Sequence, residues 1–187
     1  MRRLVITIAA VLVCLVGGFE PRAESAASND VAVLGVVLQH WSKCGERSYY
    51  VVSAQTVSID DSTIKAILGT VEARNLLERS IVPSELPTMP PCEGIRVVPE
   101  QEIIAALKST GPPLDPPEPG WEGFYARYPG AKGVLRVSLP GYTPDATQAV
   151  VILSVACGSL CGHGHLLHLK SSNGKWKIVR RETLWVS

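Results

Sequence analysis

The sequence predicts an α+β protein, with mainly N-terminal helices packed on a C-terminal antiparallel sheet. Three observations carry this. Apolar residues recur at helical spacing between residues 31 and 41. From residue 133 onward, strand patterns follow one another with little between them. Asn173-Gly174 separates two of those patterns, and both residues accept the positive φ of a tight hairpin turn.

The elements follow in order. Met1-Arg2-Arg3 is basic, and Leu4 to Val16 is an apolar run broken only by Thr7, the layout of a secretory signal peptide. The run is short for a spanning helix, which needs roughly 20 residues. Ser25 and Ala27 fit the −3 and −1 positions of a cut after Ala27, which gives a signal peptide over 1–27 and one α+β domain over 28–187. Cys14 lies inside the apolar run and follows Val13, where lipoprotein processing wants a small residue, so it should leave with the signal.

Ser28-Asn29-Asp30 is a helix N-cap cluster, followed by a helix over 31–41 on which Val31, Leu34, Val37, Leu38 and Trp41 share a face. Residues 49–59, opening Tyr49-Tyr50-Val51-Val52, read as a strand. Asp60-Asp61-Ser62 caps a helix over 63–79. Proline-rich connectors fall near 83–91 and 111–120. Between them Ile95 to Val98 is a short strand, and Pro99 starts a helix over 103–107 whose first-turn acids, Glu100 and Glu102, suit the positive end of the dipole. Trp121 to Tyr128 is a short amphipathic helix ended by Pro129-Gly130. Strands over 133–139, 147–156, 163–170 and 175–186 then form a four-strand antiparallel meander.

Removing residues 1–27 takes three of the 18 basic residues and two of the 17 acidic ones, leaving fifteen of each. A near-neutral, interspersed surface argues against nucleic acid or an anionic membrane as the main partner. The chain after the cut has no apolar stretch of spanning length, so no stable membrane span is expected after cleavage.

Cys44, Cys92, Cys157 and Cys161 remain after the cut, and an even count in an exported chain reads first as disulfides. Three pairings are possible. The one in chain order, Cys44–Cys92 with Cys157–Cys161, is expected. The second bridge requires Gly158-Ser159-Leu160 to turn, because i and i+4 on a strand lie roughly 13 Å apart while bonded cysteines keep their Cα atoms within about 7 Å.

Cys157, Cys161, His163, His165 and His168 fall within twelve residues. Thiolate and imidazole suit zinc or copper, and His163 and His165 would share one face of a strand, with His168 on the other. A disulfide removes both thiolates, however, so a disulfide-closed corner beside surface histidines is the leading reading, and no cofactor is expected. No hydrolase motif is present: Gly158-Ser159-Leu160-Cys161-Gly162 puts serine one place early for a nucleophile elbow.

The stretch Trp121-x-x-Phe124-Tyr125-x-x-Tyr128-Pro129-Gly130-x-x-Gly133, then Asp145-x-Thr147-Gln148-Ala149, Cys157-Gly158, Gly162-x-Gly164 and Gly174-Lys175-Trp176-Lys177, resembles a loose group of uncharacterised exported bacterial proteins. The resemblance covers roughly residues 121–187. It implies export and a β meander, and no reaction type. The function expected is a secreted or periplasmic, disulfide-stapled, non-catalytic binding or structural module. The alternatives are a zinc or copper protein using the 157–168 cluster, and a cryptic hydrolase.

Overall fold

The first helix, α1 (Pro21–Ser42), buries Val33, Leu34, Val37 and Leu38 completely, and their spacing of one, three and one residues is a single helical stripe. The structure is a computed structural model describing residues 21–44, 47–59, 69–108 and 120–187, with the backbone alone for 21–28. Residues 1–20 of the expected signal peptide lie outside it. The helix begins ten residues before the expected start at residue 31, so Ser28-Asn29-Asp30 is helix interior and not a cap. Asp30 has a different use. Its carboxylate takes Arg79 Nη1 at 3.0 Å and Nη2 at 2.6 Å, and the Tyr142 hydroxyl at 2.9 Å. Burial alone would lower the Arg79 pKa, but the hydrogen bonds and charge of Asp30 carry it above its ordinary value.

Strand β1 (Tyr49–Ser53) stops six residues short of the expected end at residue 59. Beyond it the backbone pairs with a loop: Thr56 N–H donates to Ser84 O and Ile59 N–H to Ser80 O. The helix expected over 63–79 fails at residues 69 and 70, which are not helical: α2 (Val71–Arg79) starts after Thr70, whose extended backbone ends any helix before it and whose hydroxyl accepts from Ala73 N–H at 3.2 Å as its cap. The cap expected at Asp60-Asp61-Ser62 lies outside the described residues. Strand β2 (Ile95–Val98), α3 (Glu100–Ala106) and α4 (Trp121–Arg127) fall close to expectation. Of the proline-rich connectors, 83–91 sends Leu86 and Met89 against the core, while 109–119 lies outside the described residues.

Then come β3 (Ala131–Val137), β4 (Gly141–Tyr142), β5 (Gln148–Gly158), β6 (Cys161–Ser172) and β7 (Lys175–Val186). Asn173 and Gly174 turn the last hairpin with φ of 52° and 72°, as the sequence requires. The sheet is not a four-strand meander. Among the described residues it has seven strands, in the order β2-β1-β3-β5-β6-β7 with β4 paired to β5. β1 runs parallel to both β2 and β3, and the remaining pairs are antiparallel. β1 is therefore interior, with Val51 and Val52 both fully buried, one in each of two separate cores.

One face of the sheet packs on α1 through Val52, Leu135, Val137, Val151, Leu153, Leu167, Leu169 and Trp176. The other face carries two separate apolar clusters. Val51 and Val134 join Ile103 of α3 and Phe124 and Tyr128 next to it. Val150, Ile152 and Leu166 join Ala73 and Leu76 of α2. The α+β class is as expected, although sheet predominates. Among the described residues no helix is long and apolar enough to cross a membrane.

Candidate functional site

The cysteines pair as the chain order suggests. Cys44 and Cys92 lie 5.3 Å apart at their Cα atoms and tie the end of α1 to the approach to β2. Cys157 and Cys161, 5.1 Å apart, close the turn from β5 to β6, where the ladder shifts register between Ala156 and Gly158.

The histidines divide as strand alternation demands. His163 and His165 share the α1 face of β6, with ring centroids 4.9 Å apart. His168 points to the opposite face and meets Glu182 at 2.6 Å. One expectation fails here: His165 is not a surface side chain. Only 7% of it is exposed, with its ring 5.5 Å from Trp41 of α1 and its Nδ1 3.4 Å from the Thr183 hydroxyl. Trp41 also stacks edge-on with His40, at 5.3 Å. Burial, then the neighbouring His163 and Arg181, hold the His165 pKa below its ordinary 6.5, so the ring is kept neutral. Among the described residues, no three His, Cys, Asp or Glu side chains converge as metal ligands.

The face opposite α1 holds an arrangement that reading along the chain does not disclose. Register places Arg136 beside Ser154, Ser154 beside Gly164, and Gly164 beside Trp185. On the other side of β3, Ser53 continues this row, one residue past the Val52–Leu135 pair. The row therefore crosses four strands with polar or small residues, Ser53, Arg136, Ser154 and Gly164, and ends on Trp185 of the fifth. Val51 and Val134 lie beside it on β1 and β3, and Ile152 and Leu166 beside it on β5 and β6, so the row is a polar strip, or furrow, that separates the two apolar clusters.

Glu100, at the start of α3, closes over the furrow at Arg136. The guanidinium Nε lies 3.2 Å from both carboxylate oxygens, and Nη2 lies 2.7 Å from Oε1. Both side chains are about four-fifths buried or slightly less, at 19% and 25% exposure. The acids read as helix-terminus residues are thus ion-paired: Glu100 in this half-buried site, and Glu102 on the surface with Arg127 at 2.8 Å. A cleft of about 270 Å³ opens beside the Glu100–Arg136 pair, lined also by Ser53, Gln55, Thr56 and Ser58. It lies at the carboxyl ends of the parallel strands β1 and β3, a common place for ligands in sheets with parallel strands.

At the far end of the row, Gly162 and Gly164 explain their spacing. A Cβ on Gly164 would stand 2.1 Å from Trp185 Nε1, and one on Gly162 would stand 3.1 Å from Cζ3 of the same indole. Trp185 therefore lies along β6, its pyrrole ring over Gly164 and its six-membered ring over Gly162. The Gly162-His163-Gly164-His165 alternation sends the histidines to α1 and leaves bare backbone on the other side for an indole to cover.

Arg136 and Ser154 were the residues that reading along the sequence missed. Each had a faint local signal: a charge between Leu135 and Val137, and a hydroxyl inside the apolar run of β5. That they stand side by side is a fact of register. No family model matches the chain, and neither a curated protein nor a solved structure matches it.

Proposed function

We propose that this chain is an exported, disulfide-stapled, non-catalytic binding module whose ligand occupies the furrow from the Glu100–Arg136 cleft across Ser154. The carrying observation is the mainly polar cleft beside the Glu100–Arg136 pair, continued along the sheet by Ser154 between two apolar clusters, because a concave site with a few convergent polar groups is where a small ligand binds. The chemistry there favours binding over reaction. A carboxylate gripped through both oxygens by a guanidinium is a fixed recognition element, not an available base. The basic start, the apolar run to Val16 and the even cysteine count support export. So does the resemblance of residues 121–187 to exported bacterial proteins.

The test uses protein recovered after export, whose N-terminus should lie within a few residues of Ser28 by mass spectrometry. Disaccharides, dipeptides, free amino acids and small carboxylates are surveyed by thermal shift and native mass spectrometry. One class should raise the melting temperature, and Ser154→Leu, which fills the furrow without entering either core, should abolish that effect. Binding indifferent to Ser154→Leu would refute the furrow as the site.

A second reading has one observation in its favour, the closeness of His163 to His165. Two imidazoles with the nearby thiols spent in a disulfide make a weak metal site. Tag-free protein should contain no stoichiometric zinc or copper. One equivalent of either, lost on replacing His163 and His165 with Gln, would favour the metal-binding reading instead.

A further inference from the structure

We infer that the furrow takes a saccharide of at least two equatorially substituted pyranose rings, one seated on Trp185; this rests on the furrow being the ligand site. The indole is backed by the bare backbone of Gly162 and Gly164, yet 42% of Trp185 is exposed. A large aromatic laid flat on the sheet with its other side open is a platform. What stacks on such a platform needs an apolar face. A pyranose with equatorial substituents has one on either side, made of axial C–H groups, and carries its hydroxyls around the rim.

The rest of the row matches that rim. The Ser154 hydroxyl both donates and accepts. The Glu100–Arg136 pair offers acceptor and donor side by side, as vicinal hydroxyls require, and its net charge is zero. An unpaired arginine here would select an anion; a paired one suits a neutral ligand. Gly164 under the platform and Arg136 at the other end are two strand spacings apart, roughly 10 Å. That is too far for one ring touching both and suits two linked rings.

Cellobiose and N,N′-diacetylchitobiose are the probes, with sorbitol as a hydroxyl-rich control that has no ring face. Titration calorimetry and tryptophan fluorescence are read on the full exported protein. At least one disaccharide should bind and sorbitol should not. Trp185→Ala should weaken binding by about ten-fold. Trp185→Leu, which keeps an apolar cover over the glycines but has no ring face, should weaken it equally and serves if the alanine variant does not fold. Failure of both disaccharides to bind, or undiminished binding by the leucine variant, overturns the saccharide. If a different class of compound binds and Ser154→Leu blocks it, the furrow stands and the saccharide falls. If a disaccharide binds and Ser154→Leu leaves it untouched, the furrow itself falls, and this inference with it.

Discussion

His165 occupies a position that suits only an uncharged ring. Trp41 covers it, and His163 and Arg181 add positive charge beside it, with His40 on the far side of Trp41. Its folded pKa lies below the unfolded value of about 6.5, so the unfolded chain binds more protons between the two. Its contribution to stability is therefore complete above about pH 6.5 and is lost as pH falls from there through the lowered folded value. Melting temperatures at pH 8 and pH 5 should differ more for the natural protein than for His165→Gln, and equal differences would contradict this. At this scale the sequence was legible where spacing alone decides. Positions 163 and 165 share a face of any strand, and 168 takes the other. Burial was not legible, because it depends on α1 arriving over that end of the sheet.

Elements were recognised more surely than their partners. The β-branched runs of β1 and β2 identify strands, but parallel neighbours are joined by long crossovers and leave no hairpin signal like Asn173-Gly174. This is why a meander was expected and a mixed sheet is found. Residues 54–59 have strand-like composition, yet their backbone groups pair mostly with residues 80–86, and Ala54 and Val57 with Val98 and Val137, which no local pattern announces. The edge strand β7 is guarded against further pairing. Lys175, Lys177, Arg180 and Arg181 are exposed along it, and the β6–β7 ladder shifts register twice. The two disulfides also act on elements unequally. Cys157–Cys161 closes a turn that the β5–β6 ladder already holds, and its short loop is worth about 2 kcal/mol by chain entropy, against about 4 for the long loop of Cys44–Cys92. Replacing Cys44 and Cys92 with Ala should lower the melting temperature more than replacing Cys157 and Cys161. The reverse order would show that the α1–β2 link stabilises little.

On the scale of the whole molecule, the sheet presents two different faces. The face under α1 is a continuous apolar core, and it holds His163 and His165 at one end. The opposite face is split between α2 and the α3–α4 pair, and the split is the polar furrow. Because alternate residues of β6 face opposite ways, the binding and metal readings lie on opposite sides of one strand and can be told apart residue by residue. The most direct measurement is a map of amide and side-chain chemical shifts as the best ligand from the survey is added. Perturbations should follow the row Ser53, Arg136, Ser154, Gly164 and Trp185, with Glu100 above it. Perturbations gathered instead at Trp41, His163, His165 and Thr183 would contradict the account and move the working site to the other face.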